Sequence, residues 1–331
     1  MLELFSAGII GTGSYLPENI ITNKDLEKIV DTDDEWIRSR TGIRERRIAD
    51  KTMASSDLGS KASIRALEDA GIKADDLDLI IVATVTPDMN FPSTACLIQN
   101  NIKAINAAAF DVEAACSGFI YSLTIAKQFI ATGMYKNILV VGTECLSRFV
   151  NWKDRNTCVL FGDGAGAAVV SRVENNFGIL STHLGADGRG KELLNLKAGG
   201  SRQPASLETI EKNLHYLYME GNEVFKFAVR IMASAAKKAA QLAGLETKDI
   251  DFLVPHQANI RIIEASAKRL GIEREKLWVN LDKYGNMSAA SIPVALDEAV
   301  RAGNIKKGNN ICLVGFGGGL TWASIVMKWA K

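Results

Sequence analysis

Short runs of aliphatic and β-branched residues alternate along the chain with longer, alanine-rich segments whose apolar positions recur at helical spacing. That order predicts a layered α/β fold. Residues 70–81 read AGIKADDLDLII and residues 243–254 read AGLETKDIDFLV. Each predicts a helix end with its glycine, an acidic turn and a buried strand. The second follows the first by 173 positions, and the same offset relates Asn137-Ile-Leu-Val-Val-Gly142 to Asn310-Ile-Cys-Leu-Val-Gly315. Ala7-Gly-Ile-Ile-Gly11 has a weaker counterpart in Phe177-Gly-Ile-Leu-Ser181. We read an internal duplication with halves at 1–173 and 174–331, each a mixed sheet flanked by helices and packed face to face in one body. Generic strand-helix alternation is the competing source of these matches. The segments 117–126 and 287–296 are small and apolar nearly all round, which predicts two helices buried between the halves.

Composition fits this picture. With 331 residues, 47% of them apolar, 28 glycines and only 6 prolines, the chain has the profile of a folded protein. Lys plus Arg number 39 against 38 Asp plus Glu, so no whole-molecule field draws it to nucleic acid or membrane. The start, Met1-Leu-Glu-Leu-Phe5, carries an acid where a secretory leader carries bases, and no apolar run nears the roughly 18 residues of a membrane span. A cytoplasmic protein is expected.

The five cysteines, Cys96, Cys116, Cys145, Cys158 and Cys312, are odd in number and lack CxxC spacing, which argues against a disulfide framework or a zinc site. A thiol gains reactivity where a helix N-terminus stabilises its thiolate, and Cys116 stands between the strand-and-turn run Ala108–Ala115 and the apolar helix expected from Ser117. Cys145, which follows another strand, is its rival. Cys96 is expected in a helix, and Cys158 and Cys312 in apolar strands. Of the three histidines, His256 follows Phe252-Leu-Val-Pro255 and so sits at the C-terminal end of a buried strand, where α/β folds place their sites. His183 is expected in a loop and His215 in a polar stretch. No HExxH or HxH spacing occurs, so no metal is expected.

At the offset of 173, Cys116 falls opposite Ala289 and His256 opposite Ala83. Equivalent strand ends and helix starts thus carry a Cys, a His and Asn286, which face-to-face packing could join in one pocket. Asn286 also reads as a plain N-cap. Gly315-Phe-Gly-Gly-Gly319 lacks the Lys-Ser/Thr of a phosphate loop; it suits either a turn presenting N–H to an oxyanion or an ordinary sheet-edge turn. Gly11-Thr-Gly13 is too short a glycine motif to define a nucleotide site.

Cys116 in Glu-Ala-Ala-Cys-Ser-Gly-Phe, His256 in Pro-His-Gln-Ala-Asn, Asn286 in Tyr-Gly-Asn-Met-Ser and the closing Gly-Phe-Gly-Gly-Gly-Leu-Thr-Trp together resemble the β-ketoacyl-[acyl-carrier-protein] synthase III family. The resemblance runs over essentially the whole chain, including Asp34–Arg46 and Phe161–Gly166. It implies the five-layered αβαβα thiolase fold and a decarboxylative Claisen condensation that starts fatty-acid synthesis from a short acyl-CoA, most simply acetyl-CoA, and malonyl-acyl carrier protein. A related condensing enzyme with a branched, longer or polyketide starter is the alternative.

The same resemblance implies the residue roles. Cys116 would carry the acyl group as a thioester, the N–H groups of Cys116 and Gly318 would form the oxyanion hole, and His256 and Asn286 would donate to the malonyl thioester oxygen during decarboxylation. Trp36 and Arg40 would sandwich the CoA adenine with Arg155 nearby, while Asn222, Phe225 and Asn259 would line the pantetheine tunnel. Phe91 would close the acyl pocket of the second subunit of a homodimer. Arg261, Lys268 and Arg269 fall close to one helix face and would dock the acidic carrier protein, although a charge cluster alone fits a solvated face equally well. No cofactor is implied, CoA thioester and carrier protein being substrates. Met287 and Ala186 depart from the usual Thr and Ser of the family; neither removes a catalytic group, and although Met287 lies beside Asn286, no change of substrate is inferred from it.

Overall fold

The computed structural model describes residues 4–331; the expectation drawn from Met1–Phe5 falls partly on residues 1–3, outside the described residues. The first sheet contains β1 (Ala7–Tyr15), β2 (Leu79–Ala83), β3 (Ala108–Val112), β4 (Asn137–Cys145) and β5 (Asp163–Arg172), in the order β1-β5-β4-β2-β3. The second contains β6 (Gly178–Gly185), β7 (Phe252–Pro255), β8 (Asn310–Gly317) and β9 (Thr321–Lys328), in the order β7-β8-β9-β6. Strand β4 is buried at every position, as a central strand covered on both faces must be.

The two sheets repeat one pattern. Strands β1, β5, β4 and β2 have the same neighbours and directions as β6, β9, β8 and β7. Leu79 pairs with Ile138 in parallel register, and Phe252 pairs with Ile311, each residue displaced by 173. A parallel bridge between Leu253 and Leu277 stands where β3 pairs with β2 in the first sheet.

Between the sheets lie α4 (Gly118–Ala131) and α7 (Ser291–Arg301), and one core holds Phe119, Leu123, Ile292 and Leu296 with Ile81, Val140, Leu313 and Ile325 from both sheets. An apolar helix has no solvent face to offer, so burial on two sides is its stable place. Helices α2 (Ser55–Ala70) and α3 (Thr94–Asn101) cover the outer face of the first sheet. Helices α5 (Gly221–Leu242) and α6 (Ile260–Leu270) cover that of the second, giving the five layers αβαβα.

Several local expectations are corrected. His183 lies within β6, not in a loop. Cys158 ends the short helix Arg155–Cys158 instead of sitting in a strand. Gly11 and Gly13 lie inside β1, where a Cβ would fall 2.5 and 2.4 Å from backbone atoms of Ala66, so they serve the close packing of α2. Gly315–Gly319, read as a turn, comprises the end of β8 and the start of its turn into β9. Among the described residues no helix is long and apolar enough to cross a membrane.

Candidate active site

Cys116 lies in a single 3-10 turn, Ala115–Ser117, that leads directly into α4. Ala115 takes φ +46°, a left-handed conformation costly for alanine, and the turn is held from the other half of the chain. Ser117 Oγ donates to Thr321 Oγ1 at 2.6 Å and Thr321 Oγ1 donates to the Ala114 carbonyl at 2.9 Å; that carbonyl also lies 2.8 Å from Ser117 Oγ. Strand β8 crosses this turn at close quarters. A Cβ at Gly317 would fall 2.5 Å from the Cys116 nitrogen, and one at Gly315 would fall 3.3 Å from the Cys116 carbonyl oxygen and 3.5 Å from the His256 Cβ. The glycines at 315 and 317 share one face of the strand because side chains alternate. Gly142 and Ala289 repeat this pairing 173 positions away, a Cβ at Gly142 meeting the Ala289 carbonyl oxygen at 2.3 Å.

Cys116 and Gly318 line a cavity of about 630 Å³ together with Thr84–Pro87, Leu146, Phe161, Leu194 and Ser288. His256 and Asn286 are buried and are not among the residues that line it. His256 is 1% exposed, its ring meets Phe316 edge-on at 5.7 Å between centroids, and its backbone N–H donates to the Val314 carbonyl at 2.8 Å. Its Nδ1 is buried without a hydrogen-bond partner. Asn286 is fixed by the bond from its N–H to the Leu160 carbonyl and by the one from Gly162 N–H to its own carbonyl. Its Oδ1 accepts from Ser288 N–H at 2.8 Å, which caps the next turn and leaves the amide nitrogen as the side chain's donor.

Electrostatics differ from the sequence expectation. Burial pushes the Cys116 thiol up to about 12, outweighing the lowering by its own N–H and by Ser288, so the resting thiol keeps its proton. Burial likewise pushes Cys145 and Cys312 up to about 12, so acidity does not single out a nucleophile; placement does. The backbone N–H of Cys145 donates to the Thr86 hydroxyl at 2.9 Å, its thiol has Asp163 as a charged neighbour, and the residue does not line the cavity. Desolvation holds His256 down to about 3, so its imidazole is neutral near pH 7.

The nucleotide-binding candidates form a separate group on the surface. Trp36 lies on α1 (Asp34–Thr41), with the Arg40 guanidinium 4.6 Å and that of Arg155 5.0 Å from its ring centroid. Arg155 also donates to the Asp31 carbonyl at 2.8 Å. Asn222 and Phe225 stand in the first turn of α5, Phe225 beneath the Arg261 guanidinium at 5.6 Å. Asn259 caps α6, accepting from Arg261 N–H at 2.9 Å, and its amide donates to the Arg40 carbonyl at 2.9 Å. It therefore joins the tunnel candidates to the adenine candidates, and a pantetheine contact must share that amide. Arg261, Lys268 and Arg269 are all exposed on α6. Phe91 is 86% exposed, an isolated aromatic on the loop whose neighbours Pro87 and Asn90 line the cavity.

Met287, beside Asn286 in sequence, does not line the cavity. It is fully buried against Tyr284, Ala290, Val294 and Leu16, in space that Gly164 provides, since a Cβ there would meet its sulfur at 2.6 Å. Sequence reasoning missed Glu144, a fully buried carboxylate on β4, and Ser288, which lines the cavity two residues after Asn286. A lone acid in the apolar run Asn137–Cys145 was the available signal. A second cleft of about 670 Å³, lined by Arg65, Glu68, Asp69, Asp297 and Arg301, holds none of the nominated residues.

Residues 110–188 match the family model described as 3-Oxoacyl-[acyl-carrier-protein (ACP)] synthase III, and residues 240–329 match its C-terminal counterpart. The chain is 66% identical over 331 residues, all of both chains, to Beta-ketoacyl-[acyl-carrier-protein] synthase III of Caldanaerobacter subterraneus subsp. tengcongensis. It is 62% identical over 323 residues to the protein of that name in Clostridioides difficile, with 98% of each covered. The solved 3-oxoacyl-[acyl-carrier-protein] synthase III from Aquifex aeolicus superposes with a TM-score of 0.91 at 50% identity, covering 98% of this chain and 100% of that one. The priming β-ketosynthase of the R1128 polyketide pathway gives 0.92 at 36% identity, covering 100% and 98%. With this fold and this degree of identity along its whole length, the chain belongs to the β-ketoacyl-[acyl-carrier-protein] synthase III family of condensing acyltransferases.

Proposed function

We propose that the protein condenses a short acyl-CoA, most simply acetyl-CoA, with malonyl-acyl carrier protein, giving 3-ketoacyl-acyl carrier protein, CO2 and CoA as the first step of fatty-acid synthesis. The observation that carries this reading is the placement of Cys116: a lone thiol in the wall of a large cavity, at the entry to a buried helix, with Gly317 packed against its backbone and Gly318 lining the same cavity. The acyl group passes from one thioester to another, an exchange of near-equal bonds that a serine ester would not permit. The N–H groups of Cys116 and Gly318 receive the tetrahedral oxyanion, each donor contributing about 3–4 kcal/mol to the barrier reduction.

Decarboxylation follows a different electrostatic demand. The C–C bond to the carboxylate breaks, CO2 leaves, and negative charge builds on the malonyl thioester oxygen before the enolate carbon attacks the acyl-cysteine and expels the thiolate. His256 and Asn286 donate to that oxygen. A neutral imidazole is suited to this, because it offers an N–H without adding a charge that the buried site would have to solvate.

The CoA nucleotide lies on Trp36 between Arg40 and Arg155, and pantetheine passes Asn222, Phe225 and Asn259. Carrier protein docks on Arg261, Lys268 and Arg269. The working unit is a cytoplasmic homodimer in which Phe91 closes the partner's acyl pocket, and the reaction uses no metal or bound cofactor. The duplication, with halves at 1–173 and 174–331, belongs to the same reading and is supported by the repeated strand order and register. A longer, branched or polyketide starter is the second reading, favoured by the cavity volume and by the likeness to a polyketide priming enzyme.

A panel of acyl-CoAs followed by malonyl-acyl carrier protein tests both. The mass of the Cys116 peptide reports the accepted starter, and CO2 with ketoacyl product reports condensation. No adduct on Cys116 would remove the assignment; hydrolysis without malonyl-acyl carrier protein would make the protein a hydrolase.

A further inference from the structure

Two turns meet at the thiol, Ala115–Ser117 and Gly318–Leu320, and each supplies one of the N–H groups assigned above to the oxyanion. Each also holds a non-glycine residue in the left-handed region, Ala115 at φ +46° and Leu320 at φ +47°. Such a conformation is costly for a residue with a Cβ and persists only where the surroundings over-determine it.

The Thr321 hydroxyl joins the two turns. It accepts from Ser117 Oγ at 2.6 Å, donates to the Ala114 carbonyl at 2.9 Å and lies 3.3 Å from the Gly318 carbonyl oxygen. One oxygen atom thus touches the residues on both sides of Cys116 and the residue that carries the second donor. Ser117 is fully buried, and its own oxygen lies 2.8 Å from the Ala114 carbonyl within the same turn. Loss of the Thr321 hydroxyl would therefore leave the Cys116 turn an internal bond and remove the bonds that cross to the other turn.

The matching site 173 positions away has no such link. Turn Ser288–Ala290 corresponds to Ala115–Ser117, with Ala290 at the place of Ser117 and Arg148 at the place of Thr321. There Glu144, at the place of Gly317, accepts from the Ala289 N–H at 3.4 Å. Gly317, whose Cβ would fall 2.5 Å from the Cys116 nitrogen, puts no side chain over the N–H of the nucleophile. The hydroxyl pair and the uncovered N–H occur together, at the turn that carries the thiol.

We propose that Thr321 is a positioning residue for acyl transfer, its hydroxyl fixing the spacing of the Cys116 and Gly318 N–H groups so that both meet the tetrahedral oxyanion. This rests on the acyl-transfer reading above. Oxyanion donors work by being in place beforehand; donors that must be drawn together during the reaction lose part of their effect to the rearrangement. Thr321 has one hydroxyl proton, and the Ala114 carbonyl takes it, so the residue acts through the two turns and not as an acid or base. His256 and Asn286 lie outside both turns, which confines the effect to the acyl-transfer step.

Thr321→Val, which keeps the shape and removes the hydroxyl, tests this against Thr321→Ser, which keeps the hydroxyl. Single-turnover transfer from acetyl-CoA is read from the mass of the Cys116 peptide, and CO2 release from malonyl-acyl carrier protein is read on chain already acylated. Thr321→Val should slow acyl transfer roughly a hundredfold, the effect of a donor displaced by about 1 Å, and leave CO2 release unchanged. Thr321→Ser should restore the rate, and Ser117→Ala, which keeps the bond from Thr321 to Ala114, should lose less than Thr321→Val. An unchanged acyl-transfer rate in Thr321→Val, equal losses in the two half-reactions, no recovery in Thr321→Ser or a larger loss in Ser117→Ala would each overturn the proposal. Hydrogen exchange reads the link without substrate: peptides spanning 113–119 and 316–322 should exchange faster together in Thr321→Val and return to the unmodified rate in Thr321→Ser. An unmodified chain that takes no acyl group defeats the acyl-CoA assignment, and exchange then decides the link by itself; unchanged protection at either turn overturns it.

Discussion

Gly317 packs against Cys116 so closely that a single methyl group at 317 would stand 2.5 Å from the cysteine's backbone nitrogen. Gly317 closes β8 and Cys116 stands in the turn that enters α4, so two elements distant in sequence meet at this thiol. Gly317→Ala should displace the 115–117 turn or the end of β8, and a displacement near 1 Å lowers rate by roughly a hundredfold. Acyl-adduct formation and condensation should fall together, with a loss of stability of about 1–3 kcal/mol from overpacking. Gly188→Ala, where a Cβ meets nothing within 4 Å, is the control. Normal turnover in Gly317→Ala would contradict this packing.

His256→Ala and Asn286→Ala should leave acylation of Cys116 largely intact while lowering decarboxylation by roughly 10²–10³-fold, the effect of removing one oxyanion donor. Single-turnover acyl transfer and CO2 release, measured separately, decide the matter. Equal losses in the two half-reactions would show that these side chains act before the malonyl group arrives.

Stability should carry two opposed acid titrations. His256 is depressed from 6.5 to about 3, so its contribution is complete above 6.5 and is lost as pH falls toward 3, where the unfolded chain binds the extra proton. Glu144 is raised from 4.5 to about 7, so its contribution is complete below 4.5 and is lost as pH rises through 7. Each limb has a slope of at most about 1.4 kcal/mol per pH unit. Urea midpoints against pH should therefore show Glu144→Gln steepening the net acid loss between about 4.5 and 6.5, and His256→Gln flattening it. A variant curve parallel to that of the unmodified protein would refute its assignment.

Trp36→Ala should raise KM for acyl-CoA about tenfold with little change in kcat, since base stacking on an aromatic ring is worth about 1–3 kcal/mol and Trp36 does not line the cavity that holds the thiol. Arg155→Ala should do the same to a smaller degree, and neither should alter KM for the malonyl carrier protein. A fall in kcat with unchanged KM would place Trp36 in a structural role.

Lys268→Glu and Arg269→Glu should weaken productive encounter with carrier protein while leaving acylation by acyl-CoA unchanged. The effect should shrink as salt rises, because exposed charges are screened over about 10 Å at 0.1 M ionic strength. Equal salt sensitivity in the variants and the unmodified chain would remove α6 as the dock.

Much of this molecule was legible in its linear order. The 173-residue offset between Asn137–Gly142 and Asn310–Gly315 anticipated β4 and β8, because buried strands need continuous apolar runs and those runs are local. The apolar segments at 117–126 and 287–296 anticipated the central layer for a related reason: a helix without a polar face must be covered on all sides. Cys116, His256 and Asn286 could be nominated from their places at element ends.

What the tertiary structure alone decided is the environment of those groups. Helix-terminus reasoning favoured a stabilised thiolate, whereas burial against β8 keeps Cys116 protonated. Met287 lies beside Asn286 in sequence, but the absence of a side chain at Gly164, 123 positions earlier, gives it room in the core. Glu144 and Ser288, far apart in the chain, became notable only when packing buried the acid against the Ala289 N–H and set Ser288 in the lining of the Cys116 cavity. Periodicity is set by neighbours in sequence and can be read there; desolvation and proton affinity are set by neighbours in space, and they exist only once the two halves have met.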